Sequence, residues 1–268
     1  MLRDITIGQY IPGDTIVHRL DPRVKIVLTL FFIVALFFVK RIPTFLFVLL
    51  FIVFVVKISK TPPMVLIRGL KSMAFFIGIA LFFNVFFYRG GTVLFQWKFL
   101  QITKEGLIFS LFMFLRIIFL IVGSSLMTLT TSPIELTDGL ESLMSPLKRF
   151  GFPAGELAMM MSISLRYVPI LIEEAEKIVK AQKSRGADFD TGSLKERAKK
   201  LLAILVPLFA NAFRRADELA VAMESRCYFP GEERTRMKPL AFKKRDFIAF
   251  LLVGAFFIFV GSFDVLFI

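Results

Sequence analysis

The chain has 268 residues, 56% of them hydrophobic, 34 of them Phe, with a mean hydropathy of +0.73. Soluble domains carry about 45–50% apolar residues by a similar count, so the composition points to a polytopic membrane protein with a lipid bilayer as its first partner. The net charge of +13 would suggest nucleic acid on a soluble chain. Here the enrichment of Lys and Arg in cytoplasmic loops accounts for it, and no nucleic-acid partner is expected. One Cys (Cys227) and one His (His18) exclude an internal disulfide and a zinc site built from several such ligands.

The stretch from Met1 to Asp14 is polar and carries acids, unlike a signal peptide. Residues 1–23 read as a polar lead. Asp21 is placed as an N-cap and Pro22 as the first residue of a helix. Four apolar spans are expected at residues 24–39, 44–56, 72–88 and 107–130, with a break at Lys40–Pro43, a basic loop at 57–71 and a polar loop around Trp97. The first two are short against the ~20 residues that a bilayer core demands. Trp97 fits an interfacial anchor. From Ser132 to Asp246 no stretch reads as apolar enough to span, and the pattern is that of long amphipathic helices. Ser132-Pro133-x-Glu135 opens a short helix that Gly151-Phe152-Pro153 ends; a long helix follows over 154–184, then a turn at 188–192, a helix over 193–226, and a stop at Pro230-Gly231. A last span covers 247–268. The fold class is thus an all-α integral membrane protein: about five transmembrane helices plus a cytoplasmic domain at 132–246. Placing that domain inside puts 28 of the 34 Lys and Arg on the cytoplasmic side and five on the other, as the positive-inside bias favours.

The two long helices end alike. Ser184-Arg185-Gly186 closes the first and Ser225-Arg226-Cys227 the second, each after a shared Ala spacing and downstream of a Val-Pro step, at Val168-Pro169 and Val206-Pro207. An Arg at a helix C-terminus is favoured by the helix dipole alone. The repeated context asks for more, and two rigid guanidinium forks suit two equivalent acidic grooves. Earlier in the first helix, Ala154, Ala158 and Ser162 recur every four residues beside Met159, Met160 and Met161. That pattern serves either core filling or an adaptable docking face.

Catalytic signatures are missing. No Gly-x4-Gly-Lys-Ser/Thr occurs, so no nucleotide loop belongs to this chain, and no nucleophile–base pair or acid cluster is visible. Arg116, inside the fourth span, is expected either to mark an intramembrane site or to find an internal partner such as Asn84 or a loop carbonyl. The scarcity of acids in the spans argues against an ion-driven carrier.

Gly8-Gln9-Tyr10-Ile11-Pro12-Gly13-Asp14, then His18-Arg19-Leu20-Asp21-Pro22-Arg23-Val24-Lys25, with the two Ser-Arg tips, resembles the transmembrane T components of energy-coupling-factor (ECF) transporters, the family of the CbiQ-type cobalt subunits. The resemblance covers essentially the whole chain; Cys227 departs from the family's usual Gly. It implies two ABC-type ATPases, each docking on one tip (Ser184, Arg185, Gly186; Ser225, Arg226, Cys227). It also implies a separate S component that captures the substrate, for which the small-residue and Met face of Ala154, Ala158, Met159, Met160, Met161 and Ser162 is the expected docking surface. The chain would then be a non-catalytic scaffold in a prokaryotic cell membrane. It would hold no cofactor of its own, ATP being bound by the partners, and would couple hydrolysis to vitamin or metal-ion uptake. The competing expectation is a stand-alone permease that binds its own substrate within the helix bundle.

Overall fold

The computed structural model describes residues 10–39, 41–88, 90, 92–97, 100–187, 189, 193–229 and 240–266. Eight α-helices are present among them: α1 (Pro22–Phe38), α2 (Ile42–Ser59), α3 (Pro63–Phe87), α4 (Lys104–Thr130), α5 (Pro133–Met144), α6 (Ala154–Ser184), α7 (Leu194–Glu224) and α8 (Lys244–Leu266). A small antiparallel hairpin, β1 (Val93–Trp97) and β2 (Leu100–Thr103), joins α3 to α4, and a 3-10 turn (Ser145–Phe150) follows α5. The described residues divide into two compact units, one within residues 10–139 and 240–266, the other within residues 140–229.

Among the described residues, five helices are long and apolar enough to cross a membrane: α2, α3, α4, α6 and the Lys244–Ser262 part of α8. Four coincide with expected spans. The fifth is a correction, because α6 lies within residues 132–246, where no spanning stretch was expected. Its first half, Ala154–Ile172, has only Glu156 and Arg166 as charged residues. The whole helix has 31 residues, more than a bilayer core requires. The first expected span, α1, has 17 residues and falls just short in length. A second correction concerns the basic loop at 57–71. Lys60, in the left-handed region at φ 53°, ends α2 and Pro63 starts α3. The loop therefore shrinks to residues 60–62, between a left-handed stop and a proline start. The hairpin stands where only a polar loop was expected. The side chain of Trp97, the break at Lys40, most of the 188–192 turn and the stop at Pro230-Gly231 lie outside the described residues.

The membrane unit packs its core between α1, α2, α4 and α8. Leu36, Phe45, Val48 and Leu129 are almost wholly enclosed. Rings stack across helices, as with Phe51 on Phe256 at 4.5 Å, a favoured aromatic arrangement. At Gly123 of α4 a β-carbon would come within 2.4 Å of the Phe32 ring, so the absent side chain allows the close α1–α4 approach.

Helix ends in this unit are closed by polar groups from neighbouring segments. Arg116 of α4 donates to the carbonyls of Leu36 (3.2 Å) and Val39 (3.0 Å) at the end of α1, with the Phe37 ring 5.5 Å from its guanidinium carbon. It is therefore a structural cap, and Asn84 bonds elsewhere, to the Ala80 carbonyl and the Met113 sulfur. Lys25, buried in α1, donates to the Thr130 carbonyl at the end of α4 (2.8 Å) and to that of His18 (3.0 Å). The lead adds the Ile11 amide, on the Leu129 carbonyl at 3.0 Å.

Asp21 caps α1 through the Arg23 amide (2.9 Å) and pairs with the Arg23 side chain (3.0 Å), the expected N-cap arrangement. Asp246 of α8 is buried and takes two backbone amides, Lys243 at its own helix start (2.7 Å) and Asp21 (2.9 Å). The lead itself folds around His18, whose ring nitrogens face the Thr15 hydroxyl (2.6 Å) and the Ile11 carbonyl (3.2 Å). A β-carbon on Gly13 would sit 2.9 Å from that ring.

Truncating Asp246 to Ala strands two amides, at a cost of about 1–3 kcal/mol each when buried. Asp246→Ala is expected to lower the denaturation midpoint of the purified protein clearly, and Asp246→Asn, which keeps one acceptor oxygen, to lower it less. Equal midpoints for wild type and Asp246→Ala would refute the capping role.

Candidate functional site

The two Ser-Arg tips have one backbone geometry. After α6, the Gly186 amide returns to the Lys183 carbonyl (3.0 Å) and the Ala187 amide to that of Gln182 (3.0 Å). After α7, the Cys227 amide returns to the Glu224 carbonyl (2.9 Å) and the Tyr228 amide to that of Met223 (3.1 Å). Both are Schellman endings, in which the residue after the Arg must take a left-handed conformation. Gly186 does so at φ 87° and Cys227 at φ 57°. The second tip thus reaches the same turn without the glycine that makes it easy.

The hydroxyls beside the two Arg are used locally. Ser184 donates to the Lys180 carbonyl (3.1 Å) and Ser225 to that of Ala222 (3.0 Å). Arg185 and Arg226 are exposed, and neither has an ion-pair partner among the described residues. Each tip therefore presents an uncommitted guanidinium on a fixed turn. That arrangement can grip a carboxylate or a row of carbonyls on another protein.

The helices behind the tips are fastened to each other. Glu174 of α6 accepts from the Asn211 amide nitrogen (2.5 Å) and lies 3.2 Å from the Arg215 guanidinium, both on α7. The Glu174 side chain is 16% exposed and that of Arg215 41%, so the pair is only partly screened by water. Glu174 lies eleven residues before Arg185, and Arg215 eleven before Arg226. The clamp joins equivalent positions of the repeat, about three turns behind each tip. Pro169 and Pro207 lie inside α6 and α7, which continue through them. Ser193 and Glu196 start α7 with a reciprocal capping box, which satisfies two amides of the first turn.

The small-residue face of α6 divides. Ala154 and Ala158 are buried, covered by the chain itself, whereas Met160 and Met161 are exposed. Ser162 is partly covered and Met159 half-buried. A further apolar stripe is absent from the sites expected from the sequence: Leu202, Val206, Phe209 and Phe213 of α7 are 56–68% exposed. Their spacing of four, three and four places them on one helix face, and that spacing was the available signal.

Replacing Cys227 by Gly relieves a left-handed non-glycine residue, which costs roughly 1 kcal/mol. Cys227→Gly should therefore keep or slightly raise thermal stability while leaving tip function intact, and Cys227→Val should lower both, read by melting and by uptake.

Comparison with known proteins identifies the family of the chain. The family described as "Cobalt transport protein", CbiQ, matches residues 13–237. The "Energy-coupling factor transporter transmembrane protein EcfT" of Clostridium kluyveri is 52% identical over 252 residues, covering 94% of this chain and 93% of that protein. Its namesake in Thermosediminibacter oceani is 52% identical over 253 residues, covering 94% and 95%. The protein of the same name in Bacillus subtilis is 43% identical over 246 residues, covering 92% and 93%. With a match that runs through the folded lead, the apolar helices and both Ser-Arg tips, the chain belongs to the CbiQ/EcfT family of multi-pass membrane transport proteins.

Proposed function

We propose that this chain is the non-catalytic transmission scaffold of an ECF-type importer, gripping two ABC-type ATPases through Arg185 and Arg226 and passing their motion to a substrate-binding S component. The observation that carries the reading is the pair of like-built tips, each with an exposed guanidinium that no described residue pairs. Two grooves on two related ATPases explain a repeated tip; a permease working alone has no use for one. The N-terminal lead and the two Ser-Arg tips lie on the cytoplasmic side, in keeping with the distribution of Lys and Arg. ATP stays with the partners. The transported vitamin or metal ion is chosen by the S component, which covers Met160 and Met161 of α6 and the Leu202–Phe213 stripe of α7. Met suits such a face because its unbranched side chain adapts to different partners.

The test is co-purification from the native membrane in gentle detergent. Wild type should bring down two ATPase subunits and the Arg185→Glu, Arg226→Glu double variant neither, since reversing a buried charge partner costs about 2–5 kcal/mol per contact. Uptake should vanish with the double variant. ATPases retained by both proteins would remove the Arg assignment, and none retained by wild type would bring forward the stand-alone permease.

The clamp gives a separate expectation. Glu174→Gln and Arg215→Gln should each slow uptake while ATPases still co-purify. The exchanged pair Glu174→Arg, Arg215→Glu should recover part of the loss, because the two charges again face each other. Wild-type uptake in both single variants would exclude the clamp from coupling.

A further inference from the structure

The membrane unit encloses an open cavity of about 640 Å³ that the coupling role does not use. It lies between α1, α2, α4 and α8, with walls that include Phe32, Phe51, Phe54, Leu126, Leu252 and Val253. Its size is within the ~300–1,000 Å³ of ordinary ligand sites. Its lining is almost wholly hydrocarbon, so a polar substrate would lose its hydration there with no hydrogen bonds in exchange. An acyl chain would not.

The charged part of the lining is mainly cationic. Arg19, from the lead, and Arg245, from the start of α8, line the cavity with Asp14 and Lys25. Two of the cations are committed: the Lys25 ammonium to the His18 and Thr130 carbonyls, and Arg19 to the Asp14 carboxylate. The Arg19 hydrogen bond holds the Asp14 carboxyl below its usual pKa, and the nearby charge of Arg245 adds to this, so the carboxylate is ionised at neutral pH. Arg245 is half-buried and makes no hydrogen bond or ion pair among the described residues. An uncommitted cation beside a hydrocarbon slot, next to the helix starts where a lead meets two spans, complements a ligand with one anionic head and an apolar tail.

We propose that this cavity is a binding site for one anionic phospholipid, with an acyl chain between α1, α2, α4 and α8 and the phosphate on Arg245. Basic pockets between membrane helices select anionic headgroups, and a single well-placed cation corresponds to about a fivefold preference.

The experiment uses the full chain in bilayers, with Trp97→Phe removing the native Trp and Phe54→Trp placing one in the cavity wall. Quenching by brominated phosphatidylglycerol is compared with quenching by brominated phosphatidylcholine. The expected result is about fivefold tighter binding of phosphatidylglycerol, reduced to parity by Arg245→Gln, retained by Arg245→Lys and weakened by salt. Equal quenching by the two lipids in the wild-type background would overturn the headgroup site and leave a generic hydrocarbon slot. Quenching by neither would mean that a protein segment fills the cavity, and would equally overturn the proposal. Native mass spectrometry of the protein with Phe54 intact, showing one retained phosphatidylglycerol lost with Arg245→Gln, guards against an artefact of the reporter. The result is independent of ATPase docking, so its failure leaves the coupling role untouched.

Discussion

Helix-terminal carbonyls that must be satisfied away from water govern the membrane unit. Each helix leaves its last carbonyls without intrahelical partners, and in a low-dielectric setting these cost several kcal/mol when bare. The chain meets the demand with cations from neighbouring helices: Arg116 of α4 closes α1, and Lys25 of α1 closes α4. The two helices thereby cap each other, and Gly123 lets them come close enough to do so. Charges that in isolation look like transport machinery are here backbone ligands. Asp246 performs the converse service for amides, tying the start of α8 to the N-cap of α1.

The same demand explains the folded lead. His18, Gly13 and Asp21 belong to the stretch on which the family resemblance rests, and each has a local structural role. His18 is the ring that gathers the lead, Gly13 the gap that admits the ring, and Asp21 a helix cap. The lead then places the Ile11 amide and the Lys25 ammonium on the last carbonyls of α4. Its sequence therefore records a packing problem, whereas the tips of α6 and α7 answer to no packing need within the described residues, and their role is the one proposed above. The former is folded in; the latter are exposed and hold uncommitted charge.

Much of this is legible in the sequence where local chemistry decides. Asp21-Pro22, Ser132-Pro133-x-Glu135 and Ser193 all mark helix starts that the structure bears out, and Gly186 marks a helix end. The limits of α6 are readable to the residue because Pro153 and Gly186 frame it. Longer-range matters are not. The partner of Arg116 is a carbonyl eighty residues away, which no local pattern encodes. The apolar half of α6 hides behind its charged second half, so the helix reads as amphipathic throughout. Pro62-Pro63 looks like loop punctuation and proves to be a helix start. The clamp between Glu174 and Arg215 depends on how the two helices cross, although their matching places in the repeat are countable from the sequence.

That matching has a mechanical meaning. A clamp eleven residues behind each Arg leaves two arms of about 16 Å at the ordinary helical rise, equal in length and held at a shared fulcrum. Equal arms convert equal forces at their ends into balanced torques, so inward motion at both tips would open or close the pair about the fulcrum without twisting the helices sideways. Arms of unequal length would convert the same push into net rotation of the whole unit. In a complex of the proposed kind, the position of one ion pair along two helices would thus decide whether a symmetric engine delivers a scissoring stroke or merely turns its load.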